Sequence, residues 1–126
     1  MTAHVVFSAL DPAQPATTSA TIIRQVIRGV IGFQGLLMSD DVSMNALAGS
    51  IAERTRAAVN AGCDMVLHCN GKLDEMHDVA REAPELAHQA LDRARRALAS
   101  RREPEPFDRP AARAELEALM DRVATA

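Results

Sequence analysis

The sequence predicts an α/β fold on parallel strands. Two observations carry that prediction. Short continuous apolar runs occur at "LLMS" and "CDMVLHCN", the pattern of strands covered on both faces. Segments of helical period separate and follow them, so that strand, helix, strand, helix, strand and helix alternate, the rhythm of right-handed parallel crossovers.

Taken in order, "MTAHVVFSAL" opens as a strand over residues 1 to 8, with Val5, Val6 and Phe7 as β-formers. "DPAQPATTS" is a loop by its two prolines, and Ser19 is placed to cap a helix. The apolar positions of that helix are Ile22, Ile23, Val26, Ile27 and Val30, which leaves Arg24, Gln25 and Arg28 for solvent. "GFQG" ends it, and a second strand follows over residues 35 to 40. "SIAERTRAAVNAG" is a helix stopped by Gly62, and the third strand, residues 63 to 69, closes on the turn residues Asn70 and Gly71. A long helix starts near Pro84, with Leu86, Ala87, Ala90, Leu91, Ala94, Ala97 and Leu98 on one face. "EPEPFDRP" is a proline-broken linker, and Leu116, Leu119, Met120 and Val123 mark a last helix. The expected division is therefore 1–103 for the α/β unit and 104–126 for linker and terminal helix.

Composition excludes several classes of function. A chain of 126 residues with 48% hydrophobic side chains can bury one core, built of aliphatic residues because it has three Phe and no Trp or Tyr. A net charge of -3 gives no general attraction to nucleic acid or anionic membranes. The basic run "RARRALASRR" lies among acidic neighbours without interleaved aromatics, which reads as a solvated helix face. Cys63 and Cys69 fit neither a disulfide framework nor a zinc pattern and read as buried thiols of a reducing compartment. No metal or other cofactor is called for. The absence of an 18-residue apolar run or a signal-like start points to a cytoplasmic protein.

Chemistry concentrates in "GLLMSDDVSM". Ligands of parallel α/β proteins sit at the C-terminal ends of strands, which is where Asp40 falls. Successive strand residues face opposite ways, so Asp41 is expected outside the pocket that Asp40 enters, at the start of the loop. A turn that merely caps the next element is the competing reading of the pair.

"GFQGLLMSDDVSMNAL", with "ERTRAAVNAGCDMVLHCN" after it and "MTAHVVFSALDPAQPATTS" before it, closely resembles the family 3 glycoside hydrolases in their bacterial cytoplasmic β-N-acetylhexosaminidase branch. The resemblance spans about residues 1 to 100. It implies a retaining glycosidase of the (β/α)8 barrel fold that removes terminal N-acetylglucosamine during peptidoglycan recycling, with an N-acetylglucosamine-containing glycan or muropeptide as substrate. Asp40 falls on the nucleophile position, supported by Ser39, Asp41 and Met44 of the Ser-Asp-Asp-x-x-Met segment. Such an enzyme needs a carboxylate under the anomeric carbon and a second group roughly 5 Å away for proton transfer. In this branch that second role resembles a histidine near a Lys-His-Phe-Pro-Gly-His segment, and these 126 residues contain no such segment.

The three strands accordingly resemble the sixth, seventh and eighth of a barrel, followed by C-terminal helices. A chain of this kind is expected to be inactive alone. The alternative is a non-catalytic α/β module that associates with another chain, the rest of a barrel or its own copy, through the open edge at residues 1 to 8. His4, in the "AH" pair, faces either the sugar or a packing layer. His68 and Asn70 either line the pocket floor or pack at a strand end. Cys63, Asp64 and Met65 read as structural, and His77 and His88 as surface residues.

Overall fold

The computed structural model describes residues 1–124. Two parallel strands, β1 (Met38–Asp41) and β2 (Met65–Leu67), form the sheet. Between them runs α1 (Ile51–Ala61), and a π-wound helix (Thr21–Val30) precedes β1. After β2 come α2 (Leu73–Glu82), α3 (His88–Ala99) and α4 (Arg109–Ala124). The fold is α/β, with a parallel crossover through α1. Ile23, Leu37, Ala58, Ala61 and Cys63 form the core between sheet and helices, with Ile27 and Val66 packed against it.

Local chemistry explains the boundaries of α1. The Ser50 hydroxyl accepts from the Glu53 N–H (3.3 Å), while the Ser50 N–H donates to the Glu53 carboxylate (2.8 Å), a reciprocal capping box. Gly62 ends the helix at φ 120°, and a Cβ there would lie 3.0 Å from Ile23 Cγ2. Gly62→Ala therefore combines backbone strain with a core clash, and a loss of about 1–3 kcal/mol is expected in urea unfolding. An unchanged midpoint would mean that the turn relaxes freely.

The first expected strand is not formed as a regular one. Thr2 N–H donates to Met38 O (2.9 Å), so the segment does lie beside β1, but the carbonyls of Ala3 and Val5 accept from Thr17 (3.2 Å) and Ala16 (2.8 Å) instead of a neighbouring strand. The returning chain, a short 3-10 turn at Ala16–Thr18, thus takes up the carbonyls of Ala3 and Val5. Val5, Val6 and Phe7 stay about half exposed, more so than Met65, Val66 and Leu67 of β2. Beside them an apolar cleft of about 350 Å³ is lined by Met1, Phe7, Leu10, Ile22, Ile27 and Ile31 among others.

The other strands are shorter than expected, and β1 ends one residue later, so Asp41 is its last residue and not the first of the loop. The helix at Thr21–Val30 is capped as expected, Ile22 N–H donating to Ser19 Oγ (3.0 Å). Its winding differs, however, with Ile31 N–H bonded to Val26 O (2.8 Å). This i→i+5 spacing turns later positions away from where an α-helix would put them. Val30 accordingly faces solvent at 85% exposure, and Arg28, expected in solvent, points inward to Asp64.

Three more expectations differ from the structure. The helix near Pro84 begins at His88, because Ala83 before the proline is extended (ψ 125°), as is Ala87 (ψ 165°). Its Leu98 remains exposed. The basic run is not a purely solvated face either: Arg93 pairs with Asp64 and Arg96 donates to Gln34 O (3.2 Å). Cys63 is buried, and burial pushes its thiol up to about 11, whereas Cys69, read as buried, is exposed beyond the end of β2. His77 and His88 are surface residues. Residues 101 to 108 have no regular structure, and α4 presents Leu116, Leu119, Met120 and Val123 to solvent.

Candidate active site

Asp40 and Asp41 end the same strand with different hydrogen-bond partners. Leu37, just before β1, packs against the helices and Ser39 within it is also buried, while Met38 and Asp40 alternate with them and are partly open. Pairing is irregular here. Met38 opposes Met65 and Asp41 opposes Leu67, so β1 uses three steps where β2 uses two. The extra residue makes a bulge, a feature that re-aims side chains at a strand end. Ser39 repairs the ladder, its Oγ accepting the Leu67 N–H (2.9 Å).

The carboxylates then differ by their partners. Asp41 Oδ1 accepts from Ser43 N (2.9 Å) and Cys69 N (3.2 Å), and its Oδ2 accepts from Ser43 Oγ (2.8 Å). Burial pushes the Asp41 carboxyl upward, but these bonds and the charge of His68 outweigh it and hold the pKa below the ordinary value. Both oxygens are committed to holding the loop. Asp40 Oδ1 accepts only the adjacent Asp41 N–H (2.8 Å), and among the described residues its Oδ2 accepts no hydrogen bond. One carboxylate oxygen is left available to a ligand.

The loop after β1 is fixed by a residue the sequence did not single out. Arg54 of α1 donates through Nη1 to the carbonyls of Val42 and Met44 (both 3.0 Å) and through Nε to Gly49 O (2.9 Å). Met44 itself is exposed, and its backbone, not its side chain, is tied in. The only signal for Arg54 was its place one helical turn after the cap Ser50.

His4 sits at the same strand end. Its Nε2 bonds Asp41 O (2.8 Å) and its Nδ1 bonds Thr17 Oγ1 (2.9 Å). Thr17 Oγ1 is 2.9 Å from Thr2 Oγ1, which accepts the Asp40 N–H (3.2 Å). Thr2 and Thr17 are buried and escaped sequence reading, since isolated threonines in a strand and a loop carry no pattern.

His68 and Asn70 converge on Glu75 of α2. His68 Nε2 lies 3.1 Å and Asn70 Nδ2 2.7 Å from Glu75 Oε2, and Lys72 Nζ reaches Oε1 (3.1 Å). Hydrogen bonds from His68, Asn70 and Lys72, in that order, pull Glu75 down to about 2. The folded pKa is thus below the unfolded value of about 4.3, so this tether is intact above the unfolded value and is lost as pH falls toward the folded one. A carbon-13 NMR titration is expected to place the Glu75 midpoint near 2. A midpoint near 4 would show the three contacts absent in solution.

Among the described residues, no cluster of three or more His, Cys, Asp or Glu is arranged to hold a metal, and no helix is long and apolar enough to cross a membrane.

Comparison with known proteins adds the family. Residues 1–100 match the profile described as the glycosyl hydrolase family 3 N terminal domain. A "Beta-hexosaminidase" of Alkalilimnicola ehrlichii is 53% identical over 72 residues, covering 56% of this chain and 20% of the relative. One of Bordetella avium is 39% identical over 100 residues, covering 78% and 28%. Among solved structures, a β-N-acetylhexosaminidase from Beutenbergia cavernae superposes with a TM-score of 0.61 at 36% identity, over 79% of this chain and 32% of that one. A glycoside hydrolase family 3 β-N-acetylglucosaminidase from Paenibacillus gives 0.66 at 26% identity, over 86% and 24%. The chain spans between a fifth and a third of the length of these relatives.

Proposed function

Since this chain belongs to glycosyl hydrolase family 3, we propose that it carries the nucleophile-bearing part of a retaining β-N-acetylhexosaminidase, with Asp40 as the nucleophile. The observation that carries this reading is the free Oδ2 of Asp40 at a strand end, beside an Asp41 whose oxygens are both occupied. In the first half of the reaction, Asp40 attacks the anomeric carbon of a terminal β-linked N-acetylglucosamine while an acid protonates the leaving oxygen. In the second, water deprotonated by the same group releases the sugar from the glycosyl ester. Asp40 supplies the covalent step. These 126 residues contain no Lys-His-Phe-Pro-Gly-His segment, and on this reading another part of a (β/α)8 barrel supplies the proton-transfer group, this chain contributing the segment at residues 1 to 8, β1 and β2 with the helices that follow each.

The relatives' names support a substrate of the N-acetylglucosamine type. The resemblance carried by the sequence extends this proposal to a muropeptide met in cytoplasmic peptidoglycan recycling. The test is labelling by a fluorinated N-acetylglucosaminide that carries its own good leaving group and so reduces the need for an acid. Mass spectrometry is expected to find one sugar on the peptide containing Asp40. A labelled Asp41, or no label with the rest of the barrel supplied in trans, defeats the reading.

The exposed Val5, Val6 and Phe7 and the apolar cleft beside them support a second reading, a non-catalytic module that associates with another chain through this edge. A chain that stays monomeric in sedimentation and gains no partner from the remaining barrel counts against it.

A further inference from the structure

We propose that His4, Thr17 and Thr2 are positioning residues that hold the Asp40–Asp41 peptide at both ends and so aim the free oxygen of Asp40. The inference rests on the reading of Asp40 as nucleophile and goes beyond it in assigning three residues that do not touch the sugar.

Donor and acceptor roles follow from the chemistry. The Asp41 carbonyl can only accept, so His4 Nε2 carries a hydrogen and donates to it (2.8 Å). In the neutral ring Nδ1 is then an acceptor, which assigns the Thr17 hydroxyl hydrogen to it (2.9 Å). Thr17 Oγ1 in turn accepts from the Thr2 hydroxyl (2.9 Å), and Thr2 Oγ1 accepts the Asp40 N–H (3.2 Å). The circuit begins at the N–H of Asp40 and ends at the C=O of Asp41, with every member satisfied. Thr2 is 8% exposed and Thr17 0%, so water does not compete for their hydroxyls. The register shift in β1 falls between Met38 and Asp41, and the circuit braces the end of that stretch. A misplacement near 1 Å at a reacting carboxylate costs about a hundredfold in rate.

The first measurement uses the full chain and no substrate. Long-range proton–nitrogen NMR is expected to find His4 as a single neutral tautomer with its hydrogen on Nε2. Thr17→Val, which keeps shape and removes the hydroxyl, should release that preference and speed exchange of the Asp40 amide, and Thr17→Ser should restore both. Mixed tautomers in the parent chain, or an Asp40 amide indifferent to Thr17→Val, would overturn the proposal. The second measurement is the rate of Asp40 labelling by the fluorinated N-acetylglucosaminide. His4→Ala should lower the maximal rate about a hundredfold with the half-saturating concentration unchanged, and His4→Gln, whose amide can still donate to Asp41 O, should recover part of it. A rise in half-saturation at constant maximal rate would instead make His4 a sugar contact and overturn the positioning role. If the parent chain takes no label at all with the rest of the barrel supplied, the glycosidase reading fails, and the NMR result alone then decides whether the clamp exists.

Discussion

Asp40→Asn is expected to abolish covalent labelling and, with the whole barrel assembled, to lower turnover by about 10⁴-fold or more, the scale on which loss of a covalent nucleophile is felt. An amide oxygen is a poor nucleophile and its ester-like adduct cannot form, so neither half of the double displacement proceeds. Asp41→Asn should behave differently. Its Oδ1 accepts from two backbone N–H groups and its Oδ2 from the Ser43 hydroxyl, and an amide can replace only one of these oxygens. One contact is lost or inverted, the loop at residues 42 to 44 loosens, and the adduct still forms on Asp40 at a reduced rate. The pH response separates the two as well. The Asp41 pKa is lowered on folding, so the stability it contributes is present above its unfolded value near 3.9 and disappears as pH falls through the lower folded value. Turnover that survives Asp40→Asn, or equal losses in the two variants, would assign the chemistry wrongly.

Why the sequence separated these two residues, and where it went astray around them, is a matter of range. The Asp40 position, the alternation of apolar runs and the helix ended by Gly62 were legible because each rests on neighbours in the chain: a strand end, a period, a glycine in the left-handed region. The bulge was not legible, since it depends on how three residues of β1 meet two of β2. The same holds for Arg28. A helical period sends it to solvent, and only the π winding, visible in the bond from Ile31 to Val26, carries it inward. Residues 1 to 8 have the composition of a strand, yet the 3-10 turn at Ala16–Thr18 claims the carbonyls of Ala3 and Val5. His4 was marked by its place in an expected strand, but its partner Thr17 lies 13 residues on and Thr17's own partner is Thr2, a connection that could be recognised only in space.

Asp64→Ala should be the most destabilising single substitution outside the aliphatic core, costing about 3–5 kcal/mol. Asp64 Oδ2 accepts from Arg28 Nη2 (2.7 Å) and from the Leu37 N–H (2.8 Å), and its Oδ1 accepts from Arg93 Nη1 (2.8 Å). The three side chains are only 5%, 14% and 13% exposed for Asp64, Arg28 and Arg93. One carboxylate thus joins the π-wound helix, the entry to β1, the entry to β2 and α3. Removing it leaves two guanidinium groups largely out of water without a counter-charge and a backbone N–H unpaired just before the strand that carries Asp40. Arg28 keeps its bonds to the carbonyls of Phe33 and Gly35 (both 2.8 Å), which limits the loss on that side. Asp64→Asn, retaining one acceptor oxygen, should cost less, about 1–3 kcal/mol. Little of either effect should be removed by salt, because a buried pair is weakly screened, in contrast to the exposed Arg113–Glu117 pair of α4. Urea unfolding at low and high ionic strength measures both quantities. A loss under about 1 kcal/mol, or one that vanishes in salt, would mean that water reaches the cluster and that the strand bearing Asp40 is anchored by the core at Leu37 alone.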